Sequence, residues 1–241
     1  MNKLVTTDTV DTQYKNPYKL NIRIRLHQLY SVNKEGFNHW IVKHYNIKKG
    51  FSILELGCGT GVTWKEHTNL LRDCKEVYVT DLFEGMIEEA RANIGEHSNI
   101  HYEVINAEDL TYEDERFDIV IANMMLYHIP NLDKALSEIR RVLKKNGIFY
   151  SATYGENGVE SFINQMLNIQ TERQHTFTLQ NGKGILKNWF SDVEKLEYDD
   201  KLLISNRSDL VEYIQSFKEM NDWQNYSKEE LYRLISDYEK Q

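Results

Sequence analysis

Three glycines and a carboxylate carry the clearest chemistry in this sequence. In Ile53-Leu54-Glu55-Leu56-Gly57-Cys58-Gly59-Thr60-Gly61, an apolar run passes into a turn. Its glycines free the backbone to bend tightly and let a ligand approach closely. A helix predicted over Val62–Arg72 would aim its unpaired N-terminal amides at an anionic group. Further polar groups follow at regular stations: Asp81, the run Asn106-Ala107-Glu108, Asn123 and His128. A glycine-rich turn without any ligand is the plain alternative, yet glycines at this spacing lose chain entropy without adding packing.

The loop discriminates among ligands. The dinucleotide fingerprint G-x-G-x-x-G would place its third glycine where Val62 stands. No Gly-Lys-Ser/Thr follows the loop, which disfavours nucleoside triphosphates. Glu55 at the strand end would repel a pyrophosphate and attract a cation. S-adenosylmethionine meets both demands, since its carboxylate suits the loop amides and its ammonium suits Glu55. Asp81, ending the second predicted strand, can accept from ribose hydroxyls, as the matching acid does in NAD enzymes, so it does not discriminate alone.

Alternating strands and helices must position these groups. Strands are predicted at Ser52–Leu56, Glu76–Asp81, Ile100–Ile105, Phe117–Asn123 and Ile148–Thr153. Phe117–Ala122 is nearly all apolar, as a strand covered on both faces requires. Helices are predicted at Glu84–Asn93 and at Leu132–Lys144, where Asn131 caps a stripe of Leu132, Ala135, Leu136, Ile139, Val142 and Leu143. This alternation predicts an α/β fold, a doubly wound, mostly parallel sheet with helices on both faces. Ligand groups then gather at the carboxyl ends of the strands. Residues 1–15 read as a flexible tail, and Asn16-Pro17 opens a helix with a stripe of Ile22, Leu26 and Leu29. A second stripe runs through Phe37, Trp40, Ile41, His44 and Tyr45, with Trp40 expected in the core. Beyond Thr153, helices are expected at Val159–Gln170 and Ile185–Phe190, and a hairpin at Val193–Tyr198 and Leu202–Ser205 about Asp199-Asp200-Lys201. Leu210, Val211, Ile214 and Phe217 mark another helix, and Ser227 with Glu230 forms a capping box for the last.

From Ile53 to Thr153 the chain resembles class I S-adenosylmethionine-dependent methyltransferases of the small-molecule "type 11" group. The resemblance rests on Leu54-Glu55-Leu56-Gly57-Cys58-Gly59-Thr60-Gly61, Asp81 with Met86, Asn106-Ala107-Glu108-Asp109-Leu110, Phe117-Asp118-Ile119-Val120 and Leu126-Tyr127-His128-Ile129. It implies a seven-stranded sheet of order 3-2-1-4-5-7-6, with strand 7 antiparallel and the hairpin supplying the last pair. It also implies that Gly57, Cys58, Gly59 and Gly61 bracket the methionine part, with Glu55 near its ammonium. Asp81 would hold the ribose, Leu82 and Met86 would flank the adenine, and Ala107 and Glu108 would edge it. Asn123 would lie beside the methionine. Many relatives carry Asp where Asn106 stands, so here an amide oxygen would take the adenine amino group. Residues 16–50 would form a helical lid, 51–154 the cofactor core, and 155–241 the substrate segment and closing helices of a single domain. Tyr30 is a candidate lid over the cofactor carboxylate.

Methyl transfer needs a base only when the nucleophile enters protonated. His128 is the leading candidate, with Tyr127, His27, Tyr30, Tyr154 and His175 behind it. His97 and His101 sit at a loop before a strand and read as no metal site. The acceptor is expected to be a small molecule, methylated on O, N or C. Asn123-Met124-Met125-Leu126 lacks the proline pair of amino-methylating DNA enzymes. The two cysteines, Cys58 and Cys74, are too few and too ill-placed for thiolate-dependent methylation or a disulfide framework. With 241 residues and a net charge of −8, the chain reads as soluble and cytoplasmic, with nucleic acid disfavoured. No apolar run approaches the ~18 residues of a membrane span. A non-catalytic S-adenosylmethionine-binding protein and an NAD-linked oxidoreductase are the competing readings.

Overall fold

The computed structural model describes residues 13–170, 176–217 and 222–240. Helices α1 (Tyr18–Tyr30) and α2 (Phe37–Lys43) precede the sheet. The alternating unit follows as β1 (Ser52–Leu56), β2 (Glu76–Asp81), α3 (Glu84–Ile94), β3 (Ile100–Val104), β4 (Phe117–Asn123), α4 (Leu132–Val142) and β5 (Leu143–Ala152). Helices α5 (Val159–Met166), α6 (Gly182–Leu186), α7 (Arg207–Ser216) and α8 (Lys228–Tyr238) complete the chain. Ser227 and Glu230 make the expected capping box at the start of α8.

The five strands pair in the order β3-β2-β1-β4-β5, all parallel. Every residue of β1 is buried, and β4 is buried at Ile119–Ala122, so apolar side chains cover both faces of the sheet. One face packs Leu54, Val120, Leu136 and Ile139 with Phe177, and the other packs Ile53, Val77, Ile121, Trp64 and Ala90. A third cluster joins both ends of the chain: Leu26 of α1 meets Ile163, Val211, Ile214, Trp223 and Leu231. β5 starts earlier than expected, because its register shifts against β4 between Phe117 and Ile119. Gly147 permits this excursion, since a Cβ there would lie 3.0 Å from the Asp118 carbonyl oxygen.

Four expectations are corrected. No α-helix spans Val62–Arg72. The chain instead makes i→i+3 bonds from Gly61, Trp64, His67 and Leu70, ending in a 3-10 turn at Thr68–Leu71. Within Val62–Arg72, Trp64 and Leu71 alone are buried, so no continuous helical face is demanded. The hairpin also fails to form. Among the described residues the sheet ends at β5, and the Asp199-Asp200-Lys201 turn docks on the end of α1. Asp200 accepts from Ser31 Oγ at 2.6 Å and from the Asn33 backbone at 3.0 Å, while Val32 and Leu203 bond across to Lys201 and Tyr30. Those bonds leave one antiparallel bridge, Ser31 to Leu202. On α1 the buried positions are Arg23 and Leu26, and Leu29 is exposed. Trp40 is half-buried, stacked among Phe37, His44 and Tyr198 at the rim of the cleft.

Candidate active site

The carboxyl ends of β1, β2 and β4 open into one cleft of about 2960 Å³. The glycine loop forms its floor. Gly57, Gly59 and Gly61 all hold positive φ, at +67°, +55° and +68°. Two of them are also demanded by close packing. A Cβ on Gly57 would meet Met125 Cβ at 2.8 Å, and one on Gly61 would meet Ala90 Cα of α3 at 3.0 Å. At Gly59 the neighbour is Leu20 of α1 at 3.1 Å, so the N-terminal helix leans over the loop.

Two buried acids back the loop. Glu55 is 3% exposed, and its Oε2 accepts the Trp64 indole N–H at 2.7 Å. Burial away from water pushes its pKa up to about 7, against the lowering effect of the indole, and the nearby Asp81 charge adds to the rise. Asp81 spans the loop and the next element: Oδ2 accepts from the Gly59 backbone at 2.9 Å and Oδ1 from the Phe83 backbone at 3.1 Å. Burial raises its pKa as well, opposed by those backbone bonds. The Cys58 thiol is pushed well up by burial and by both carboxylates, so it stays protonated and is no nucleophile.

The cleft walls hold the remaining groups. Met86 is buried and Leu82 half-exposed, both on the cleft. Ala107 is buried, and Asn106 Oδ1 accepts from the Glu108 backbone at 2.9 Å, holding that turn. Glu108 in turn accepts from the Asn131 backbone at 2.8 Å, which ties the turn to the cap of α4. At the end of β4, Asn123 donates to the Tyr45 hydroxyl at 2.6 Å. Its Oδ1 is buried without a hydrogen-bond partner among the described residues. An acceptor left so is expensive inside a protein and fits a donor supplied by a ligand.

Residues 54–151 match the methyltransferase domain family. The ubiquinone/menaquinone biosynthesis C-methyltransferase UbiE of Hydrogenovibrio crunogenus is 38% identical over 104 residues, which are 42% of this chain and 41% of that protein. UbiE of Vibrio parahaemolyticus is 32% identical over 120 residues, 46% of each chain. The match thus spans less than half the length of these curated relatives. Residues 54–151 thus resemble methyltransferase domains. The methyltransferase chain solved with the Haloferax volcanii Trm112 methyltransferase activator shares its fold, with a TM-score of 0.56 at 18% identity over 74% of each chain. So does a methyltransferase-fold protein of Bacillus halodurans, with a TM-score of 0.51 at 24% identity, over 63% of this chain and 67% of that one.

The donor set of this methyltransferase domain fits S-adenosylmethionine. Around the loop stand acceptors, Glu55, Asp81 and Asn123 Oδ1, suited to ammonium and hydroxyl donors. Of the residues expected at the cofactor, Glu55, Gly57, Cys58, Gly59, Asp81, Leu82, Met86, Asn106, Ala107, Glu108 and Asn123 all border the cleft. Gly61 serves the packing of α3 against the loop. Tyr30 is a correction: its hydroxyl donates to Asp209 of α7 at 2.5 Å, and it does not line the cleft.

The methyltransferase domain is capped instead by Tyr14, from the segment expected as a flexible tail. Residues 1–12 lie outside the described residues, but 13–16 cross the cleft rim. The Lys15 carbonyl lies 2.6 Å from where a Gly85 Cβ would be, and Tyr14 stacks near Phe83 at 6.4 Å. Tyr14 Oη is 2.9 Å from His128 Nε2 and accepts from Arg23 Nη1 at 3.0 Å. Tyr127 packs on His128 and Tyr154, and burial pushes its phenol pKa well up. His27 lies against Tyr213, 6.3 Å between rings. His175 falls outside the described residues. His97 is held by the Ile94 carbonyl, and His101 stacks on Tyr78. Tyr14 and Arg23 carried no sequence signal beyond their types; the one available hint was a buried-side position on a helix with no clean apolar face.

Proposed function

We propose that this chain transfers the methyl group of S-adenosylmethionine to a small-molecule acceptor and releases S-adenosylhomocysteine. The observation that carries it is the Asp81 carboxylate bonded to the Gly59 amide within a matched methyltransferase domain. When bound, the cofactor supplies a sulfonium methyl open to in-line attack.

The chain's own residues bind and orient. Glu55 attracts the ammonium, and Asn123 Oδ1 accepts a donor from the methionine part. Asp81 accepts from the ribose hydroxyls while its backbone bonds hold the loop in shape. Leu82 and Met86 flank the adenine, and Ala107 and Glu108 form its edge with Asn106. Arg23 can only donate, so the Tyr14 oxygen takes that bond and the phenolic proton is left for His128 Nε2. Tyr14 and His128 together accept the proton of an acceptor that enters protonated. The UbiE relatives are C-methyltransferases, so carbon is one candidate nucleophile here, beside oxygen and nitrogen. Residues 16–50 act as the lid, and 155–241 form the substrate segment of the same domain. No helix among the described residues is long and apolar enough to cross a membrane, and two free thiols suit a reducing cytoplasm.

Calorimetry with S-adenosylmethionine, S-adenosylhomocysteine and NAD tests the binding, and a metabolite screen for S-adenosylhomocysteine release tests the transfer. Micromolar affinity for the first two and none for NAD are expected. Heat from NAD alone overturns the reading. Binding without turnover of any acceptor favours a non-catalytic sensor. His128→Ala is expected to flatten the pH profile of turnover, and an unchanged profile removes His128 as a base.

A further inference from the structure

Asn123 closes β4 with an amide that is satisfied at one end. Nδ2 donates to the Tyr45 hydroxyl at 2.6 Å, and Oδ1 is buried without a partner among the described residues. The backbone fixes where this amide stands. Met124, next in the chain, holds a φ of +53°, a left-handed conformation that is strained for a residue with a side chain. Its N–H donates to the Ala152 carbonyl at 2.8 Å. β4 pairs with β1 with Ile121 opposite Glu55, so Asn123 comes level with Gly57. Met125 Cβ lies 2.8 Å from where a Gly57 Cβ would be. The orphan acceptor therefore stands beside the glycine loop.

Tyr45 follows α2, is 8% exposed, and borders the cleft. Its ring packs against Trp64 and Tyr150, with centroids 5.9 and 4.9 Å away. The Tyr150 hydroxyl accepts from the Asn46 backbone at 3.0 Å, which ties the chain just after Tyr45 to β5. The phenol thus has little room to swing. Burial pushes its pKa well up, the Asn123 bond lowers it, and the Glu55 charge adds to the rise, so it keeps its proton. A phenol and an amide can pair in two ways. Either the phenol oxygen accepts from Nδ2, or the phenol donates to Oδ1. The first leaves an acceptor for the cleft, and the second leaves a donor. The Glu55 carboxylate selects the first, because its charge draws the phenolic proton to its own side and leaves a lone pair for the amide. Glu55 is itself held by the Trp64 indole, on which the Tyr45 ring packs.

We propose that Tyr45 is a positioning residue that holds the Asn123 amide with its oxygen toward the cleft, so that the end of β4 recognises the ammonium of S-adenosylmethionine. The proposal rests on the methyltransferase reading above and deepens it. The ammonium is the hydrogen-bond donor of the methionine part, so an oxygen there attracts it and an amide N–H would repel it. Tyr45 acts through Asn123 and needs no contact with the cofactor.

The test uses the full chain and two probes in calorimetry. S-adenosylhomocysteine carries the amino-acid end, and methylthioadenosine keeps the adenosine and sulfur without it. If neither probe binds, the methyltransferase reading fails, and the proposal falls with it. With S-adenosylhomocysteine bound, Tyr45→Phe is expected to weaken it about tenfold and to change methylthioadenosine affinity by less than about twofold. In an Asn123→Ala background, adding Tyr45→Phe is expected to cost less than about twofold more, since the group it positions is gone. Unchanged S-adenosylhomocysteine affinity in Tyr45→Phe overturns the proposal and leaves the methyltransferase reading standing. Equal weakening of both probes assigns Tyr45 to packing alone, and full additivity with Asn123→Ala separates it from Asn123; either result overturns the proposal. If Tyr45→Phe fails to fold, nitrogen-edited NMR of the unaltered chain decides. The Asn123 side-chain amide, assigned by its loss in Asn123→Ala, should keep a slowly exchanging proton when S-adenosylhomocysteine saturates the site. Exchange of that proton at the solvent rate overturns the proposal.

Discussion

Trp64 donates its indole N–H to the buried carboxylate of Glu55 at 2.7 Å, directly beneath the glycine loop. One bond therefore does two things: it anchors the turns after Gly61 to β1, and it holds an acid whose pKa is pushed up to about 7. Because that pKa is raised, folding favours the protonated form.

The stability contribution of Glu55 should be fully present below its ordinary range, near 4.5, and be lost as pH rises to about 7. Glu55→Gln should remove that part of the pH dependence in chemical denaturation. Cofactor binding should run the other way, because the ammonium selects the ionised acid. Its affinity should rise about tenfold between pH 6 and pH 8, and Glu55→Gln should flatten the rise. A flat wild-type profile in calorimetry would separate Glu55 from the ammonium.

Asp81→Ala should weaken S-adenosylhomocysteine binding by more than about tenfold. It should also destabilise the fold by about 1–3 kcal/mol, since the Gly59 and Phe83 amides lose their acceptor. Asp81→Asn should recover part of the stability and little of the affinity. Equal affinity in all three proteins would remove Asp81 from the site.

Gly61→Ala should cost about 2–4 kcal/mol, from a left-handed backbone and a clash with Ala90 and Ile94. Gly36→Ala shares the positive φ but meets nothing within 4 Å, so about 1–2 kcal/mol is expected there. Thermal unfolding of both variants distinguishes packing from backbone strain.

Tyr30→Phe should change S-adenosylhomocysteine affinity by less than about twofold, because its hydroxyl serves Asp209 and not the cleft. Tyr14→Phe leaves the ring on Phe83 but removes the link between Arg23 and His128, so turnover should fall while cofactor affinity holds. A loss of cofactor affinity in Tyr30→Phe would restore its role as a lid.

The strands and their ligand groups were legible because buried parallel strands announce themselves as apolar runs, and Asp81 and Asn123 end two of them. The roof of the cleft was not legible. Tyr14 is held by His128 and Arg23 by Ser216, partners distant in sequence that no local period encodes. The expected hairpin had the right alternation, but Asp200 found Ser31 and Asn33, and tertiary bonds overrode the local pattern. The chain after Gly61 closes in i→i+3 turns with Trp64 and Leu71 alone buried, so no continuous apolar face held it as a helix.

The strand order has a consequence for synthesis on the ribosome. β1 lies between β2 and β4, so when residues up to Val104 have emerged, one edge of the glycine-loop strand is still bare. Phe117–Asn123 must arrive to cover it, and Asn123 comes on that same strand. Long-range parallel pairing of this kind closes slowly and leaves apolar edges open to wrong partners meanwhile. The growing chain can therefore bend its loop early, but it gains a binding site only when β4 slots in beside β1.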